Sequence, residues 1–299
     1  MRLYADCYMG QDWVVPDERT SPYMKGEELR LTIENTNLLR GETGICWLTQ
    51  ASWLVKFRNC TILIDPWWRD LDAGDRWGKL LGEFPLSPDE FPPIDYIFCT
   101  HWHDDHICPT SLPLLAKQFP SAKFIVPLRS SQMLIDMGIS KGRIRAMRGN
   151  DSGQLNGGLS FVSIPAAHEE LDVDDIGSHL YLGYIIRCDG NTLFHMGDSR
   201  PYPGWEENIE KATKLLNDEK DGSSVIDIAF LCINGNDNLR HDEAVDLAEK
   251  MDFGLSIPMH YGMDPGNTVD PQIFVDEIDS RGSEIQYLVA NPGEFFVVE

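Results

Sequence analysis

The run His101-Trp102-His103-Asp104-Asp105-His106 places three histidines and two carboxylates within six residues. Imidazole nitrogens and carboxylate oxygens are the donors that borderline divalent ions such as Zn²⁺, Mn²⁺ and Fe²⁺ take. One short loop can aim His101 and His103 at one ion, and Asp105 and His106 at a neighbour. Three more such residues follow: His168 after SFVSIPAA, Asp198 after LFHMG and His260 after LSIPM. Each is a polar residue just past a β-rich run, where functional side chains are usually carried. A single histidine after a strand is more often structural than ligating. The ordered series, taken with the first cluster, points to metal chemistry.

Those residues need strands to deliver them. Tyr96–Thr100 reads as an apolar strand running straight into the cluster. Upstream, Ile45–Leu48 and Trp53–Phe57 read as short strands, and Arg58-Asn59 as a hairpin turn into Thr61–Ile64, which stops at Asp65-Pro66. From Trp67 to Pro93 the text is loop-like and long enough for a functional loop. Trp67, Trp68 and Trp77 lie in it as candidate pocket walls. Thereafter β and α signals alternate. Strands are expected at Phe124–Val126, Leu159–Ile164, Tyr181–Arg187, Thr192–His195, Val225–Ile233, Leu255–Pro258, Ile285–Val289 and Phe295–Val298. Helices are expected at Pro109–Gln118, Ser130–Met137, Glu206–Asn217, Asp242–Met251 and Pro271–Ile278. Residues 1–44 read as polar and irregular. The pattern predicts an α/β protein of two packed sheets with helices outside, forming a single domain over 1–299.

Composition narrows the partners. With 48 acidic and 25 basic side chains the formal charge is −23. Phosphate backbones and anionic membrane surfaces are gripped by Lys and Arg, so neither nucleic acid nor membrane is an expected partner. A small-molecule substrate fits better, and a homo-oligomer is compatible. No segment approaches the roughly 18 consecutive apolar residues of a membrane span, and no signal-peptide core opens the chain. The seven cysteines are scattered and form no CxxC pair, which predicts a reduced, cytoplasmic protein without a cysteine metal site.

The HxHxDH string followed by separate His, Asp and His resembles the metallo-β-lactamase superfamily of binuclear metallohydrolases. WLTQASWLVKF, ILIDPW, CTHWHDDHI, IPAAHEELDVDDIGSHLYLGYII, LFHMGDS and IPMHYGMDPGNTVDP resemble its L-ascorbate-6-phosphate lactonase-like branch. The likeness runs from about Cys46 to the C-terminus. It implies an αββα four-layer sandwich and two divalent ions per chain, Zn or Mn, with Fe a further candidate. It implies that His101, His103 and His168 hold one ion, that Asp105, His106 and His260 hold the second, and that Asp198 bridges them. Asp65 matches the family's strand-end aspartate, expected to orient a ligand histidine and fix its tautomer. The implied activity is hydrolysis. Hydroxide activated by the two ions attacks a lactone or related ester, with Asp105 as the catalytic group that orients it or relays its proton. The alternative is cleavage of a small phosphodiester or phospholipid, and a second alternative is a non-catalytic metal-binding protein. His179, His195, Arg200 and Tyr261 are candidate substrate contacts. Tyr261 and Arg200 could donate to an oxyanion or a phosphate.

Overall fold

The computed structural model describes residues 23–69, 80–216 and 225–299. The described residues begin with helix α1 (Gly26–Asn35) and strands β1 (Thr43–Thr49), β2 (Ser52–Lys56), β3 (Thr61–Ile64) and β4 (Tyr96–Phe98). They continue with α2 (Ser111–Gln118), β5 (Lys123–Pro127), α3 (Ser131–Asp136) and β6 (Ile144–Met147). The second half holds β7 (Ser152–Gln154), β8 (Ser160–Pro165), β9 (Leu182–Cys188), β10 (Asn191–His195), α4 (Trp205–Leu216) and β11 (Ile228–Cys232). The chain then closes with α5 (His241–Met251), β12 (Leu255–Met259), α6 (Gln272–Arg281) and β13 (Phe295–Val298). One sheet runs β13-β1-β2-β3-β4-β5-β6 and the other β12-β11-β10-β9-β8-β7.

Strand periodicity makes this a four-layer αββα sandwich. Along β1, Ile45 and Trp47 face the second sheet, while Cys46 and Leu48 face outward under α1 and α2. Successive side chains of a strand point to opposite faces, and here both faces are covered, so the whole strand is buried. The inter-sheet layer is rich in aromatics. Trp53 meets Phe230 at 4.5 Å between ring centroids, and Phe98 meets Phe161 and Tyr184 at 5.2 and 5.3 Å. Each such side chain contributes roughly 1.5–3 kcal/mol by leaving water. Helices α4, α5 and α6 cover the second sheet through Ile209, Val245 and Phe274. No helix among the described residues is long and apolar enough to cross a membrane.

Strand direction gathers the loops. β3 and β4 are parallel, as are β10, β11 and β12, and β8 reaches the same sense through two antiparallel pairings. The C-terminal ends of these strands therefore share an edge within each sheet. Asp65, the 101–106 loop, His168, Asp198 and His260 all follow such ends.

Two expectations need correction. Residues 1–44 are not irregular throughout: Gly26–Asn35 is helical, with Leu29 and Ile33 one turn apart and buried; residues 1–22 lie outside the described residues, as does Trp77. Ile285–Val289 is not a strand but a single bridge, Ser256 to Tyr287. Ser256 donates to Gln286 O at 2.9 Å. The next residue of β12 with its nitrogen on that side is Pro258, which has no N–H, so the ladder stops. The short edge strands β6 and β7 escaped the sequence reading because neither carries an apolar run.

Candidate metal centre

The cluster starts at β3. Asp65 leaves the strand in the left-handed region, φ 47°. Its carboxylate accepts from Thr100 N and Thr100 Oγ1, both at 2.7 Å, and from His106 Nδ1 at 2.7 Å. The strand β4 thus hands its loop to a fixed carboxylate, and with Nδ1 of His106 held on Asp65, its Nε2 is the nitrogen that faces the cluster. Thr100 Oγ1 also lies 3.0 Å from His101 Nδ1.

Seven side chains converge. His101, His103 and His168 have nitrogens within 4.8 Å of one another, as do the donor atoms of Asp105, His106 and His260. His101, His106 and Asp198 form a linking set between the two. His101 Nε2 and His103 Nδ1 face each other at 3.0 Å. His168 donates through Nδ1 to Asp237 O at 3.0 Å, leaving Nε2 as a lone pair. Asp198 turns Oδ1 toward His106 Nε2 at 3.5 Å and Oδ2 toward His260 Nε2 at 3.1 Å. Asp105 Oδ2 lies 3.7 and 3.8 Å from the same two nitrogens.

Backbone conformation serves this convergence. His260 is left-handed at φ 70°, as is Gln50 at 48°. Such residues cost about 1–3 kcal/mol each and concentrate at functional sites. Gly197 has φ 64°, and a Cβ there would sit 2.5 Å from Leu182 O and 3.1 Å from Thr100 Cβ. Only glycine lets β10 turn Asp198 into the cluster.

The donors suit divalent cations. The Nε2 atoms of His106 and His260 are buried without a hydrogen-bond partner, although carboxylate oxygens lie 3.1 to 3.8 Å away. Donors about 2.1 Å from a common tetrahedral ion stand roughly 3.4 Å apart, which these separations bracket. Electrostatics agree. Burial pushes His101, His103 and His168 below the ordinary histidine value, aided by neighbouring imidazoles, so they stay neutral and able to ligate. Burial also opposes charge on His106, but Asp198, Asp65 and Asp105 outweigh it and raise it to about 10. His260 is raised against burial, chiefly by Asp198. Burial would raise Asp198, yet His260 and His106 hold it well below the usual carboxylate range. The His106 and His260 side beside Asp198 therefore favours positive charge, while the three-histidine side stays neutral.

A family profile described as Beta-lactamase superfamily domain matches residues 60–261, which contain all seven convergent side chains. The chain belongs to the beta-lactamase superfamily. Among its relatives, the UPF0173 metal-dependent hydrolase MK1542 of Methanopyrus kandleri is 24% identical over 84% of this chain and 98% of its own. The UPF0173 protein PF0020 of Pyrococcus furiosus is 29% identical over 79% and 91%. Among solved structures, the metallo hydrolase Igni18 of Ignicoccus hospitalis superposes with a TM-score of 0.63 at 22% identity, covering 86% of this chain and 99% of that one. The isothiocyanate hydrolase from Delia radicum gut bacteria gives 0.65 at 13%, covering 84% and 97%. These superpositions confirm the superfamily's sandwich.

The remaining candidates separate. Tyr261 is not turned to the cluster: its buried hydroxyl donates to Ala290 O at 3.0 Å and its ring lies 4.6 Å from Trp47. His195 is likewise engaged, with Nε2 on Ala51 O at 2.9 Å and Nδ1 accepting from Gly197 N at 3.2 Å. It braces the turn before Asp198. His179 packs its ring over Gly149, beside Pro165, without a contact to the cluster. Arg200 stays at the rim, paired with Asp237. Several participants escaped the sequence reading. Tyr181 lies 5.4, 6.2 and 5.3 Å from the rings of His101, His103 and His168. Trp102, 40% exposed, stands 4.4 Å from His103. Gln50 places its Nε2 3.4 Å from His260 Nδ1, and its buried Oε1 has no hydrogen-bond partner. Asn238 donates to Asp198 Oδ2 at 2.9 Å. Trp102 and Thr100 were legible only as neighbours of the histidine string, and Gln50 as a strand-end polar residue.

Proposed function

We propose that this protein is a binuclear metal-dependent hydrolase acting on a lactone or related ester. The observation that carries the reading is the pair of buried, unpartnered Nε2 atoms of His106 and His260, facing two carboxylates beside a three-histidine group. His101, His103 and His168 would hold one ion, Asp105, His106 and His260 the other, with Asp198 shared. Zn²⁺ or Mn²⁺ suits this donor set, with Fe²⁺ next. Two such ions, when bound, supply Lewis-acid chemistry: they lower the pKa of water to about 7 and offset negative charge growing on the substrate.

The chain's own groups do the rest. Asp105 orients the attacking water and accepts its proton. Asp65 fixes the His106 tautomer, and Asp237 O fixes that of His168. Trp102 offers an exposed aromatic face beside His103 for an apolar part of the substrate. The rim arginines already carry carboxylates: Arg129 with Asp172, Arg200 with Asp237, Arg240 with Asp242. A substrate phosphate would compete with these and meet Glu169, whose charge already acts on His168 and Tyr181. That balance supports a neutral ester over a phosphodiester.

Elemental analysis of protein purified without chelator, followed by a screen of lactones, esters and small phosphodiesters with Mn²⁺ or Zn²⁺, tests the reading. Two ions per chain and lactone or ester turnover are expected. Turnover of phosphodiesters alone replaces the substrate class. Two ions with no turnover makes the protein a metal-binding one without catalysis.

A further inference from the structure

The segment Asn234-Gly235-Asn236-Asp237-Asn238 joins β11 to α5 and contributes none of the seven convergent side chains. It nevertheless touches two of them. Asn238 is buried, and its Nδ2 donates to Asp198 Oδ2 at 2.9 Å and to Asn234 Oδ1 at 3.3 Å. Asn234 donates onward to Asn267 Oδ1 at 2.7 Å, in the loop that follows His260. One residue back, Asp237 O accepts from His168 Nδ1 at 3.0 Å. The carboxylate of Asp237 pairs with Arg200, whose own N–H donates to Ala167 O at 3.0 Å, next to His168.

The backbone explains how one short turn reaches both. Gly235, Asn236 and Asp237 are left-handed in succession, at φ 64°, 51° and 68°. Gly, Asn and Asp are the residue types that tolerate this region. The turn closes on itself through Gly235 N to Leu239 O at 2.9 Å and Asn238 N to Gly235 O at 3.0 Å. Its carbonyl at Asp237 is thereby aimed one way and the Asn238 amide another.

We propose that this turn is a positioning device for the whole centre. Asn238 sets the plane of Asp198, holding Oδ2 toward His260 while Oδ1 faces His106 and, through His101, the three-histidine group. Asp237 O sets the ring of His168 and its tautomer. The turn couples the three-histidine group to the shared carboxylate, and the residues that act are an amide and a backbone carbonyl rather than ligands. Partners that orient ligands in this way are worth about 10–100-fold in metal affinity. The inference rests on the two-ion reading above.

The test uses the full chain, stripped with chelator and titrated with Co²⁺ against a chelating dye. Visible absorption of the Co²⁺ protein and the urea midpoint of the metal-free protein are read alongside. Asn238→Leu keeps the branched shape and removes the donor, and Asn238→Ala removes both. Both are expected to weaken the more loosely held Co²⁺ by about 10–100-fold and to alter the absorption bands, while the metal-free midpoint shows that each variant folds. Asp237→Val, at a half-exposed position but β-branched, should displace the carbonyl and weaken binding. A parent that takes up Co²⁺ while Asn238→Leu or Asp237→Val matches its affinity and spectrum overturns this inference alone. A parent that takes up no Co²⁺ overturns the metal reading and this inference with it.

Discussion

Asp65 Oδ2 and His106 Nδ1 meet at 2.7 Å with both side chains fully buried. The carboxylate comes from the end of β3 and the imidazole from the loop after β4, and Thr100 completes the joint by giving Asp65 two more hydrogen bonds. The joint fixes which nitrogen of His106 points into the cluster before any ligand arrives.

Removing either aspartate should therefore have unequal effects. Asp65→Ala loses an orienting partner and is expected to lower metal affinity or activity by about 10–100-fold. Asp198→Ala loses the group shared between both histidine sets and should abolish activity and reduce metal content further. Elemental analysis of the two variants side by side decides the ranking, and equal metal content with activity intact in Asp198→Ala contradicts it.

Stability of the metal-free chain should depend on pH in a defined direction. His106 holds its proton more tightly folded than unfolded, with a folded pKa of about 10 against an ordinary value of about 6.5. Its contribution is complete below about pH 6.5 and is lost as pH rises toward 10. His101, His103 and His168 are shifted down; their contribution is present above about pH 6.5 and is lost as pH falls. The stripped protein should be most stable near neutrality, and bound ions, taking the proton's place, should remove the alkaline loss. Urea midpoints from pH 5 to 10, with and without metal, measure this. A metal-free midpoint that stays flat from pH 7 to 10 rules it out.

Asp105→Asn keeps the shape of the side chain and loses its charge. A positioned proton acceptor contributes about 10²–10⁴-fold, so kcat should fall by that order on any ester the parent hydrolyses. The parent's rate should rise with pH and level off as water at the centre ionises. Rate profiles of parent and variant on one substrate give both answers, and a variant with the parent's kcat removes Asp105 from the mechanism.

Tyr261→Phe should leave kcat and KM within about twofold. The hydroxyl is spent on Ala290 O, and leaving that carbonyl unpaired in the interior costs about 1–3 kcal/mol of stability. Denaturant unfolding and kinetics together separate the effects; a large fall in kcat at unchanged stability would return Tyr261 to the substrate.

Gly197→Ala should destabilise the fold by more than about 1 kcal/mol, because alanine is strained at φ 64° and its Cβ meets Leu182 O. Metal content should fall as well, since Asp198 follows directly. A variant with parental urea midpoint and metal content refutes the close-approach argument.

The sequence alone determined which residues end strands and which polar groups follow them. Alternation in Ile45–Leu48 and the apolar runs at Tyr96–Thr100 and Leu255–Pro258 are local, period-two signals, and a ligand placed just after a strand inherits its position from them. That is why His101, His103, Asp105, His106, His168, Asp198 and His260 were legible as a set. Helix α1 was less legible because Leu29 and Ile33 are its only buried side chains, and such a helix depends on packing against the first sheet rather than on its own propensity. Only the tertiary structure decided who touches whom across the sandwich. Gln50 reaches His260 across 210 positions of sequence, and Tyr184 reaches the carbonyl of Cys99 across 85. It also turned Tyr261 and His195 inward to backbone carbonyls and brought Asn238 to Asp198. A residue's type and its local period specify a face and an end. Its partner depends on how two twisted sheets pack, a relation between distant segments that no local pattern carries.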